Sequence, residues 1–163
     1  MTTTLHIPHR QLHLLDADNL IGDPRVTDPT VIGGCFRDYC SVARYRPGDH
    51  VVVGTGCNGK HAFAVQYAWQ PARIVRRPGP DGADLALIEV AAEEASRHRY
   101  SEVVIGSGDH RFVEVYDMFS DLGYSVRVVS RPRSLSRALR QPCAPTCLFS
   151  ISIHASSSGS SII

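Results

Sequence analysis

The chain is predicted to fold as one α/β domain with a mainly parallel central sheet of about five strands. Three observations predict it. Short apolar runs of β type alternate with longer amphipathic stretches of helix type, the pattern of strand–helix repeats. Runs such as Val51-Val52-Val53 and Val103-Val104-Ile105 are apolar without a break, as in strands buried on both faces of a parallel sheet. The length, 163 residues, is that of one domain with enough chain for a real core.

Residues 11–15 read as the first strand, closed by a turn at Asp16-Ala17-Asp18-Asn19. Residues 28–44 form a helix, with Asp28-Pro29 as N-cap and first position and Val31, Cys35, Tyr39 and Val42 on one face. Residues 50–53 are the second strand and 60–69 the second helix, on which Tyr67 and Trp69, like Tyr39 earlier, fit core positions. Residues 72–76 give a third strand, closed by the Pro78-Gly79-Pro80-Asp81-Gly82 loop. The clearest helix spans 84–98, opened by Asp84 and lined by Leu85, Ile88, Ala92 and Ala95. A fourth strand at 102–105 runs into Gly106-Ser107-Gly108-Asp109. An amphipathic helix at 111–122 is stopped by Gly123. A fifth strand at 124–129 and a short helix at 134–140 follow. Residues 148–153 suit an edge strand, and the Ser-rich stretch 156–161 is low-complexity.

Charge is unevenly spread. Residues 1–121 hold 12 basic and 16 acidic side chains, a net of −4, whereas residues 122–163 hold five arginines, Arg131 among them, and no acid. A basic end beside an acidic body suits a phosphate-bearing partner such as RNA, although a solvated helix face explains it equally well. No apolar run approaches the ~20 residues of a membrane span. The first residues lack the pattern of a secretory signal, and five cysteines is an odd number, so a reducing, cytoplasmic setting without a membrane partner is expected.

In parallel sheets, ligands bind outside the carboxyl ends of the strands, near the switch in strand order. Asp16 and Asp109 follow apolar strands directly, and Asp84 opens an intervening helix. Carboxylates converging there would repel one another unless a cation compensates them. Mg²⁺ and Mn²⁺ take oxygen ligands, and such ions can activate water or stabilise a leaving phosphate oxygen. Each acid also has a plainer reading: Asp84 as a helix N-cap, Asp16 and Asp109 as caps of the turns that follow them.

Leu14-Leu15-Asp16-Ala17-Asp18-Asn19-Leu20, Ala83-Asp84-Leu85-Ala86-Leu87 and Val103-Val104-Ile105-Gly106-Ser107-Gly108-Asp109-His110-Arg111-Phe112 occur in this order, followed by Leu122-Gly123-Tyr124 and Ser134-Leu135-Ser136-Arg137. In this they resemble the NYN domains, a family of PIN-like ribonucleases, over roughly residues 11–141. The resemblance implies a three-layer α/β/α domain over residues 1–141, with 142–163 as an extension. It further implies a hydrolase cutting RNA with Mg²⁺ or Mn²⁺. Asp16, Asp84 and Asp109 would be catalytic metal ligands, and Asn19 would orient the first loop or hold a water of the metal's shell. Ser107, His110, Arg111, Lys60 and Arg131 are the side chains expected near the substrate, and a homodimer is compatible with the pattern. Many members of that family carry a second acid where this chain has Arg111, which favours as an alternative a non-cutting module that binds RNA or a protein. Arg111 itself reads more simply as a solvated helix residue than as a phosphate ligand.

Two further motifs compete. Gly54-Thr55-Gly56-Cys57-Asn58-Gly59-Lys60-His61 matches most of a phosphate-binding loop, but its last position lacks the hydroxyl, so a plain glycine-rich turn is the better reading. Cys143 and Cys147 have loose spacing for zinc.

Overall fold

The structure is a computed structural model, and it describes residues 9–57, 59–140 and 146–148. Its strands are β1 (Gln11–Asp16), β2 (His50–Gly54), β3 (Arg73–Val75), β4 (Glu102–Gly106), β5 (Ser125–Ser130) and β6 (Thr146–Leu148). They form one sheet in the order β3-β2-β1-β4-β5-β6, with every neighbouring pair parallel. The helices are α1 (Ala17–Ile21), α2 (Pro29–Ala43), α3 (Gly59–Ala68), α4 (Gly82–Ala95), α5 (Val113–Asp121) and α6 (Arg137–Arg140). A 3₁₀ turn, His110–Phe112, leads into α5.

Side chains alternate across a strand, so each strand feeds two cores. Leu12 and Leu14, with Val52, Val103, Ile105 and Val128, pack against Leu87, Val90 and Ala91 of α4 and Val115 and Phe119 of α5. Leu15, with Val51, Val53, Val104 and Val129, packs on the opposite face against Leu20 of α1, Ile32, Cys35 and Tyr39 of α2, and Val65 of α3. The result is the three-layer α/β/α architecture. Trp69 is fully buried, donates from Nε1 to the Ile32 carbonyl at 2.8 Å and stacks on Phe36, tying the end of α3 to α2.

Several sequence expectations shift. The residues after Asp16 form a short helix, α1, rather than a turn, because the Asp16 carboxylate caps it and Gly22 ends it at φ 78°. On α2 the buried stripe is Ile32, Cys35, Tyr39 and Ala43, one position on from Val31 and Val42 at its ends. Both rows are apolar, and the sheet selects one of them. On α4 the buried residues are Ala83, Ala86, Leu87, Val90, Ala91, Glu94 and Ala95, while Leu85 is exposed. That helix is apolar over most of its circumference, so periodicity alone could not choose its inner face. Tyr39 and Trp69 are core as expected, but Tyr67 is 73% exposed. The sheet also gains β6, earlier than the edge strand expected at 148–153; residues 149–153 and Cys143 lie outside the described residues. Among the described residues no helix is long and apolar enough to cross a membrane.

Candidate active site

The chain builds the sheet outward from β1 to β3 and then returns to add β4 on the other side of β1. The switch in strand order therefore lies between β1 and β4, where connections leave in opposite directions and open a crevice. Asp16 ends β1, and Gly106-Ser107-Gly108-Asp109 leaves β4 beside it. Asp16 shares the parity of Leu12 and Leu14, so it faces α4, whose first turn carries Asp84.

Asp16 is held on both oxygens. Its Oδ1 accepts from the Asn19 amide at 3.0 Å, and its Oδ2 accepts from the Ser107 hydroxyl at 3.0 Å. Ser107, fully buried, in turn accepts from the Asp109 amide at 3.2 Å, and the Asn19 side-chain oxygen accepts from the Gly108 amide at 3.0 Å. Asn19 and Ser107 thus lock the end of β1 to the loop after β4. Gly108 lets this loop sit tightly: a Cβ there would lie 2.1 Å from the Ser134 carbonyl oxygen, and Gly108 itself accepts from the Ser136 amide at 2.8 Å. Asp109 then caps the 3₁₀ turn, accepting from the Arg111 amide at 2.9 Å.

The electrostatics are those of a buried carboxyl beside a half-buried one. Asp16 is only 4% exposed; burial, reinforced by the charge of Asp84, raises its carboxyl to about 7. Asp84 is raised too, by burial and then by Asp109, while the Arg111 guanidinium opposes the rise. The Asp16 and Asp84 carboxyls lie close enough to hydrogen-bond when one is protonated. Asp84 is not the cap of its helix. α4 begins two residues before it, after Asp81, whose side chain makes no capping bond. The Asp84 carboxyl is therefore free of a capping bond, whereas Asp16 caps α1 and Asp109 caps the 3₁₀ turn.

Arg111 stays at the solvent-accessible surface, as expected, but it is paired there. Its Nη2 pairs with Asp81 Oδ2 at 2.7 Å, bringing a fixed positive charge beside Asp84 and Asp109. His110 Nδ1 lies 3.2 Å from Asp109 Oδ1 with its ring largely exposed at the mouth. Arg131, just past β5, donates to the Ile21 carbonyl at 3.3 Å and packs over Gly22, so it straps α1 to the sheet edge. Lys60 is exposed in the first turn of α3, on the same edge of the sheet.

Two participants stood outside the candidate site residues, and the second, Asp18, was expected only as a supporting or solvated side chain. Asp81 was read only as part of a turn, since its partner Arg111 lies thirty residues away in sequence. Asp18 reaches the glycine-rich loop after β2: Thr55 Oγ1 and the Gly56 amide donate to it, each at 3.3 Å, and His61 Nε2 lies 3.3 Å from its Oδ1. His61 Nδ1 donates to the Val26 carbonyl at 2.5 Å. The loop amide that would cradle a phosphate is thus turned to the protein's own carboxylate, which disfavours the nucleotide-loop reading.

The carboxylates of Asp16, Asp84 and Asp109 offer oxygen ligands, which suit a hard divalent cation. The repulsion between Asp16 and Asp84, answered only in part by the Arg111 charge, is what such an ion would relieve. Among the described residues, however, no three His, Cys, Asp or Glu side chains converge closely enough to enclose an ion. The site is a close pair with Asp109 at a remove, open to water on one side. Comparisons with family models, with curated proteins and with solved structures find no match to this chain.

Proposed function

We propose that the chain is a divalent-metal-dependent ribonuclease whose site is built on Asp16, Asp84 and Asp109. The observation that carries this reading is the Asp16–Asp84 pair at the switch between β1 and β4, with Asp16 buried and its carboxyl raised to about 7. Holding a buried carboxyl beside a half-buried one costs stability, and carboxyls perturbed in this way in a crevice cluster at functional sites. The motif resemblance to the NYN domains supplies the reaction class. When bound, Mg²⁺ or Mn²⁺ would activate water and neutralise the developing phosphate charge. Asn19 and Ser107 hold Asp16 and the β4 loop in register, Arg111 sits where it can meet a phosphate, and His110 is placed at the mouth to move a proton.

A second reading has its own support. Arg111, ion-paired to Asp81, already supplies part of the positive charge that a second metal would bring. That favours a module that binds RNA or a protein without cutting. Cleavage of a labelled single-stranded RNA in Mn²⁺ decides between them. We expect wild type to cut, and Asp16→Asn and Asp109→Asn each to lose about a hundredfold or more. Inert wild type with both Mg²⁺ and Mn²⁺, or variants that cut equally well, would leave only the binding module.

A further inference from the structure

Among the described residues, large apolar side chains in the open are scarce, and two of the most exposed stand together. Phe63 is 68% and Tyr67 73% exposed, four residues apart on α3 and so on one face of it, one turn from each other. The guanidinium of Arg76 lies 5.9 Å from the Phe63 ring centroid, held there by bonds from its Nη2 to the Ala62 carbonyl and to Gln66 Oε1. α3 contains no acid. Among the described residues, Lys60, Arg73 and Arg76 form no ion pair with a carboxylate, in contrast to Arg77, which pairs with Glu89.

We propose that this face of α3 is a stacking surface for single-stranded RNA, with bases on Phe63 and Tyr67 and phosphates beside Lys60 and Arg76. Aromatic rings interleaved with unpaired cations are what an unpaired polyanionic strand requires, since every base offers a flat face and every linkage a charge. A second copy of the chain is a poorer occupant, because it would set Lys60 and Arg76 against their own kind. Duplex RNA is poorer still, because its bases are already stacked on one another. The inference rests on the ribonuclease reading for its direction. α3 starts from the loop whose Thr55 and Gly56 hold Asp18, two residues after Asp16, so a strand lying on α3 leads towards the acidic crevice.

Binding is to be measured without turnover, by fluorescence anisotropy of a labelled 12-nucleotide single-stranded RNA in EDTA. Phe63→Ser and Tyr67→Ser should each weaken binding on the order of tenfold, Phe63→Leu should not restore it, and Arg76→Gln should flatten the salt dependence. In the wild type, photo-crosslinking of the same oligonucleotide carrying 4-thiouridine should modify the segment of α3 that holds Phe63 and Tyr67. Unchanged affinity in both serine variants, equal binding of duplex RNA, adducts confined to other segments, or no binding by wild type would each overturn the proposal. So would a wild-type dimer that the serine variants dissolve. Mn²⁺-dependent cleavage is scored separately. Loss of binding by the α3 variants with an inert wild type supports the surface and sinks only the nuclease. Cleavage with no effect of the α3 variants on binding or cutting sinks only the surface.

Discussion

Asp16 and His13 sit three positions apart on β1, face opposite layers, and give the stability opposite dependences on pH. Asp16 keeps its proton in the folded state up to about 7, while the unfolded chain releases it near 3.8. Its contribution is therefore greatest at low pH and is lost as pH rises through that window, by about 4 kcal/mol at most. Asp16→Asn should accordingly raise stability at pH 8 by about 2–4 kcal/mol in urea unfolding while abolishing cleavage. Added Mg²⁺ should stabilise wild type and not this variant. His13 is fully buried beside the Tyr39 hydroxyl at 2.8 Å, and burial lowers it to about 4, against the pull of Asp49. The unfolded chain takes up that proton below about 6.5, so His13 makes the fold less stable as pH falls from 6.5 to 4. The size is about 3 kcal/mol, and His13→Gln should flatten that limb in urea titrations at pH 7 and pH 4.5. At this scale the acids were legible in sequence through their strand-end placement. The charge that answers them was not, because Arg111 and Asp81 meet only across the fold.

At the scale of elements, local chemistry announced itself where it was self-contained. Asp28 caps α2 by accepting from the Thr30 amide at 2.8 Å with Pro29 behind it, and Gly123 takes φ 84° after α5. Both were readable from a few adjacent residues. The inner faces of α2 and α4 were readable only in part: Cys35, Tyr39 and Ala95 are buried as expected, but the neighbouring apolar positions that join them are chosen by the sheet beneath. The loop after β4 is the element on which the site depends most. Gly108→Ala would place a methyl against the Ser134 carbonyl, and backbone cannot swing aside as a side chain can. We expect a loss of about 3 kcal/mol in thermal unfolding, together with weakened cleavage, because Asn19, Ser107 and Asp109 all hang on that loop.

For the whole molecule, the strand order sets both stability and site. β1 and β4 are central and covered on both faces, whereas β3 and β6 have three residues each and stand at the edges. Hydrogen exchange should therefore be slowest at the amides of Leu12, Leu14, Val104 and Ile105 and fastest among the strands at Arg73–Val75. Comparable rates at centre and edge would contradict this sheet.

The sequence by itself determined the α/β class, most of the strands, and the placement of Asp16 and Asp109 just past two of them, because strand burial and strand ends are written in adjacent residues. Only the tertiary structure decided that β1 and β4 are neighbours at the switch point. It alone freed Asp84 from a capping role, set Arg111 against Asp81, turned the glycine-rich loop onto Asp18, and left Phe63 and Tyr67 in the open. Each of those outcomes depends on groups distant in the chain meeting in space, and periodicity carries no information about which of two equally apolar faces the sheet will cover.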